Sequence, residues 1–165
     1  ASRAALRRAE GQLREALADG DAAIETRNLL GISGQSVKQG LTEAVEAAFT
    51  LGELAKVDEL LALVEGVPLG TRPPFLDAQA KRFRARLDGD PSGYEVATER
   101  FRELGLPFWL AVTLLEHSEW LIGHGQPSEA EPLLAEAREI FENLEARPWL
   151  ERLDAVTPKR TEVPA

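Results

Sequence analysis

Three short segments recur along this chain: LVEGVP ending at Pro68, ELGLP ending at Pro107 and LEARP ending at Pro148, spaced by 39 and 41 residues. Each closes an apolar stretch of helical period, and glycine falls near the middle of each interval, at Gly52, Gly89–Gly93 and Gly125. Units of this length cannot bury their apolar faces alone, so they stack. The pattern therefore predicts paired helices throughout, and strand-like alternation is almost absent.

The first pair places Val37, Leu41, Ala44, Val45 and Ala48 on one face, then Leu54, Val57, Leu60, Leu61 and Val64 on the next. Ser36 and Gln39 stand in capping-box register, and Gly52 is positioned to end the helix. ISGQS, Ile32 to Ser36, is expected as a turn. The middle pair uses Leu76, Ala80, Phe83 and Leu87, then Tyr94, Ala97, Phe101 and Leu104. Asp90-Pro91 is expected to cap its second helix.

In the third pair, Pro107 to Ile122 is apolar on nearly all sides, with Thr113, Glu116 and Glu119 as a polar stripe, so this helix should be mostly buried. After GHGQP, the face Ala130, Leu133, Leu134, Ala137, Ile140, Phe141 and Leu144 follows. Ser128 and Glu131 are in capping register, which predicts Pro132 in the first turn. Gly123 to Gly125 is thus a bend between helices. Ahead of the pairs, Leu6, Ala9, Leu13 and Leu17 suggest an N-terminal helix, with a short one over Ala22 to Leu30. The expected organisation is one helical-repeat domain over 1–156, with pairs at about 37–68, 74–107 and 107–148, N-terminal helices over 2–30 and a disordered tail at 157–165.

The expected fold class is all-α, a tetratricopeptide-like α-solenoid of stacked helix-turn-helix pairs. With Gly125 as the turn glycine, Ser118, Ala130 and Ala137 fall on small-residue positions where paired helices approach closely. Ala97 and Phe101 match in the middle pair. Val57 and Leu61 replace the small and aromatic residues in the first.

Chemistry is sparse. Without cysteine there are no disulfides, thiolate ligands or cysteine nucleophiles. A formal charge of −9 disfavours nucleic acid, which needs a positive field, and argues weakly against anionic membranes. No apolar run reaches the roughly 18 residues that span a bilayer, and the N-terminal segment has no secretory pattern. GISGQSVKQG lacks the Gly-Lys-Ser/Thr ending of a phosphate loop. The two histidines, His117 and His124, are seven apart, whereas helical metal ligands converge at three or four. No metal, cofactor or catalytic residue is expected, and a reducing cytoplasmic setting suits the composition. The alternative from another class is a small all-α enzyme using a carboxylate or histidine pair in a helical groove.

One cluster breaks the acidic pattern: KRFRAR, Lys81 to Arg86. In tetratricopeptide register the inner wall carries Gln39, Thr42 and Glu46, then Gln79, Arg82 and Arg86, then Glu119. Two readings of the cations stand side by side: balance of glutamates on neighbouring helices, or a groove gripping an acidic segment of a partner protein with guanidinium forks.

The segments RFRARL, FRELGLPFWLAVTLLEHSEWLIGHGQPSEAEPLLAEAREIF and LEARPWLERLDA together resemble the C-terminal helical-repeat region of large bacterial signalling proteins. In those proteins a class III adenylate/guanylate cyclase domain precedes an AAA-type ATPase module and a tetratricopeptide-like array; similar tails occur in related ATP-binding regulators without a cyclase domain. The resemblance spans Val37 to Asp154 and is strongest from Phe101 onward. It implies a regulatory or interaction segment that contacts a protein or peptide, including other domains of its own parent. The family's cyclase and nucleotide-binding motifs have no counterpart here.

Overall fold

The computed structural model of the chain describes residues 2–26, 31–32 and 34–157. Among the described residues the regular structure is helical, with no strand: α1 (Ser2–Ala9), α2 (Leu13–Glu25), α3 (Gln35–Leu51), α4 (Leu54–Glu65), α5 (Pro74–Asp88), α6 (Ser92–Glu103), α7 (Pro107–Gly123), α8 (Pro127–Asn143) and α9 (Arg147–Val156). The fold class is all-α. The chain divides into two compact units, Ala1–Gly93 and Tyr94–Ala165. That boundary falls at the Asp90–Gly93 turn, inside the middle helix pair of the sequence reading.

One connector recurs between these helices. Gly11, Gly52, Gly105 and Gly125 adopt φ values of +76, +75, +63 and +78, and Glu145 takes the equivalent place at +52. In each copy the next residue's amide donates to the carbonyl five positions back. The bonds run from Gln12 to Arg7 (2.8 Å), Glu53 to Ala48 (2.9 Å), Leu106 to Phe101 (3.0 Å), Gln126 to Leu121 (2.9 Å) and Ala146 to Phe141 (2.9 Å). This is a Schellman closure, which satisfies carbonyls left open at the helix end. The same donating residue begins the following helix, with ψ between 49° and 73° in every case. GHGQP is one copy of this bend, as its composition suggested.

Within the first unit α2 and α3 pack at very short range. A Cβ at Gly20 would stand 2.7 Å from the Ala44 Cβ, and one at Gly40 would stand 2.5 Å from the Ala23 Cβ. Only glycine permits that approach. Around it Leu17, Ile24, Leu41, Val45, Val57, Leu61, Leu76 and Phe83 form the core. In the second unit α7 is buried along most of its length, and Ser118, Ala130 and Ala137 are fully buried at the expected small positions. The hydroxyls of Thr113 and Ser118 donate to the carbonyls of Trp109 and Leu114, both at 2.8 Å, which satisfies these buried groups within the helix.

Several local expectations are corrected. The expected single N-terminal helix is broken at Gly11 into α1 and α2, so its apolar face does not run on, and Leu6 and Ala9 face solvent. The start of the short helix expected over Ala22 to Leu30 is absorbed by α2, which runs to Glu25; residues 27–30 lie outside the described residues. Ser36 and Ser128 are not N-caps: Gly34 and Gln126 hold those positions, and neither caps a backbone amide with its side chain. Pro132 consequently lies inside α8 rather than in its first turn. Leu54, Leu104 and Leu144, expected inward, are exposed, because each sits at a helix end beside a connector. Asp90 does cap α6, its carboxylate accepting the Ser92 amide at 3.0 Å. The expected tail lies outside the described residues from 158 onward.

Candidate functional site

The KRFRAR cluster folds into α5 and meets α3. Glu46, 36 and 40 residues before Arg82 and Arg86, reaches both from the opposing helix α3. Its Oε1 accepts a charge-assisted bond from Arg82 Nη2, and its Oε2 accepts one from Arg86 Nη1 at 3.1 Å. Arg82 Nη1 also donates to Gln79 Oε1 at 2.9 Å, one helical turn earlier. The guanidinium carbons lie 4.5 Å from the Phe83 ring (Arg82) and 4.2 Å from the Phe49 ring (Arg86), within cation–π range. The two rings are themselves 6.0 Å apart.

Burial works against ionisation of Glu46, and the charges of Arg82 and Arg86, the Arg82 bond and the charge of Arg8 overcome it. Its carboxyl is held below the ordinary glutamate value. Glu46 is therefore ionised at neutral pH and acts as the bridging anion of the cluster. Arg8 of α1 joins the same side through Glu43 at 2.5 Å. Arg84 points away and forks onto Glu65, at 2.8 and 2.7 Å, and onto Asp58 at 2.5 Å. These bonds raise the Arg84 pKa further, so its charge is permanent. All three arginines of KRFRAR thus pair with carboxylates of neighbouring helices.

The expected wall residues fall in different settings. Arg82 and Gln79 are both 0% exposed, and Thr42 is buried with its hydroxyl bonded to the Lys38 carbonyl at 3.0 Å. Gln39 and Arg86 face solvent, with Glu46 half-buried between. Arg82 is therefore framework rather than contact surface. Glu119 belongs to the second unit, where both its oxygens accept from Arg152, at 2.7 and 2.6 Å.

The histidines are ring-stacked. His117 is 8% exposed and lies parallel to Tyr94, with centroids 5.4 Å apart. Burial lowers its pKa, and the charges of Glu95 and Glu129 only partly offset this. His124 stacks on Trp120 at 3.9 Å, its Nδ1 2.7 Å from the Trp120 carbonyl. No group of His, Asp or Glu suited to a metal ion occurs among the described residues, and no helix among them is long and apolar enough to cross a membrane.

A feature that sequence reasoning passed over lies at one end of the second unit. Phe108 and Trp149, each near the start of a helix, meet edge to face with centroids 5.6 Å apart. Trp109 lies 5.1 Å from Phe108, and Phe141 stacks on Trp149 at 5.7 Å. The signal was present: PFW and PW follow two copies of the same connector, whose left-handed residues, Gly105 and Glu145, lie forty positions apart. Compared with models of known protein families, with curated proteins and with solved structures, the chain matches none.

Proposed function

We propose that this chain is a non-catalytic, tetratricopeptide-like interaction domain acting in the cytoplasm on a protein partner, including other domains of its own parent. The observation that carries the reading is the repeated connector. A single two-residue bend joins successive helices at Gly105, Gly125 and Glu145, twenty residues apart, with small residues buried where α7 and α8 approach. Even pitch and small crossing positions are what a stacking helical repeat requires. The ion pairing of Glu46, Arg82, Arg84, Glu119 and Arg152 across neighbouring helices suits a structural role for these groups.

The resemblance of Val37 to Asp154 to the C-terminal arrays of bacterial cyclase and ATPase signalling proteins supports a regulatory place in such a parent. Photo-crosslinking in cells tests the reading. A photoreactive residue at Gln39 or at Leu144, both solvent-facing, is expected to give a discrete protein adduct that excess purified chain competes away. Absence of any competed adduct at either position contradicts it.

A further inference from the structure

We infer that α1 is an exchangeable clasp: it occupies an acidic seat on α2 and α3 that a basic helical segment of a partner protein takes in its place. This rests on the interaction-domain reading and names its surface and partner chemistry. The apolar cluster at the core of the first unit is drawn from α2, α3, α4 and α5, and includes none of the described side chains of α1. Among residues 3–9 only Ala4 is fully buried, and the one leucine of the helix, Leu6, is 58% exposed. Eight residues are too few to hold a helix in water, so α1 is helical because it is docked on its neighbours. What docks it is charge.

The helix holds three arginines and no acidic residue, in a chain of net charge −9. All three converge on two carboxylates of the neighbouring helices. Arg3 and Arg7, one turn apart on the same face, both reach Asp19 of α2. Arg3 forks onto the two Asp19 oxygens at 2.9 and 2.8 Å, and Arg7 lies at 3.2 Å. Arg8, turned to the next face, reaches Glu43 of α3 at 2.5 Å. The side chains of Asp19 and Glu43 are only 10% and 13% exposed, and among the described residues every ion pair they make is with α1. Such pairs are a weak hold singly, and salt screens them. The joint is open as well: Gly11, at φ +76, and Gln12 face solvent, and a Cβ at Gly11 would meet nothing within 4 Å. By contrast, α2 and α3 are locked together at Gly20 and Gly40, where a Cβ would strike the facing alanines. Release of α1 therefore leaves the rest of the unit folded, with two carboxylates uncovered. The occupant's chemistry is read from α1 itself: a helix with arginines at i, i+4 and i+5 and a small residue beside the first.

The test uses the full chain carrying Arg3→Glu, Arg7→Glu and Arg8→Glu, which drives α1 off its seat. The probe is a labelled peptide with the sequence of residues 2–12, and the control is a scrambled peptide of the same composition and charge. Anisotropy titration is expected to show saturable binding to the variant, at least tenfold tighter than the scrambled peptide and weakened by salt. Binding to the unaltered chain is expected to be at least tenfold weaker, because its own α1 competes. Adding Asp19→Asn and Glu43→Gln to the variant is expected to abolish binding. No saturable binding, equal binding of the scrambled peptide, equal binding by the unaltered chain, or indifference to the carboxylate changes overturns the seat. Amide hydrogen exchange on the unaltered chain reads the release without any variant. The amides of residues 6–10 are expected to exchange at least tenfold faster than those of residues 41–48, and severalfold faster again in high salt. Protection of α1 equal to that of α3 overturns the clasp. A competed crosslink at Leu144 alongside failure of the peptide to bind leaves the interaction reading standing while removing this seat.

Discussion

Single residues here divide into those that set backbone geometry and those that balance charge. Glu145 is the clearest case of the first. It performs the turn that Gly11, Gly52, Gly105 and Gly125 perform, with the same closing hydrogen bonds, but from a region L-residues enter at a cost. Glu145→Gly is expected to raise stability by about 0.5–1 kcal/mol, the left-handed cost removed less the extra entropy of an unfolded glycine. Glu145→Ala should give no such gain. Urea melts of the three proteins measure this, and an alanine variant as stable as the glycine one contradicts the backbone origin. Arg82 represents the second kind. A fully buried guanidinium is tolerated because Glu46 and Gln79 meet it, and an uncompensated one would cost several kcal/mol, about 3–5. Arg86, exposed on the same carboxylate, contributes about 1 kcal/mol at most.

Helix identity and the bends were legible in the sequence, because 3.6-residue periodicity and glycine at connectors are local signals. Gly52, Gly89, Gly105 and Gly125 all adopt the left-handed conformation expected of helix-ending glycines. Caps were less legible: Ser36 and Ser128 had the right spacing, yet the caps of α3 and α8 lie two residues earlier, closed by a preceding turn or by proline at the first position. The final helix, α9, carries its own proline signal but was not separated from the end of the repeat. Least legible was the pairing of helices. That Arg82 is buried follows from Glu46 on α3, which no local pattern reveals. The glycine contact between α2 and α3 is of this kind too. Alanine in place of Gly40 gains about 1 kcal/mol of helix propensity, but its Cβ would lie 2.5 Å from the Ala23 Cβ. Overpacking at that distance costs about 1–3 kcal/mol, so Gly40→Ala is expected to destabilise. Adding Ala23→Gly should recover part of the loss in thermal melts. A fully additive double variant would show that the two sites do not touch.

At the scale of the molecule, an acidic chain must remain folded against its own repulsion, and two buried groups, His117 and Glu46, add to its acid sensitivity. His117 has a pKa lowered by burial, so the unfolded chain binds its proton more readily than the folded one. Stability from this group is complete above the ordinary imidazole value of about 6.5 and is lost as pH falls through the folded value. Glu46, also lowered, acts further into the acid range: its contribution is present above the ordinary glutamate value of about 4.3 and is lost as pH falls through the folded one. His117→Phe, which keeps the stack on Tyr94, is expected to remove the earlier part of the acid limb in melts between pH 7 and pH 5. An unchanged slope over that interval counts against a buried neutral imidazole.

The central proposal is that this chain works by binding protein. Amide hydrogen exchange on the full chain, free and bound to the partner captured by crosslinking, tests it most directly. Slower exchange is expected around the crosslinked position, Gln39 or Leu144, both solvent-facing. No slowing at either position contradicts the claim.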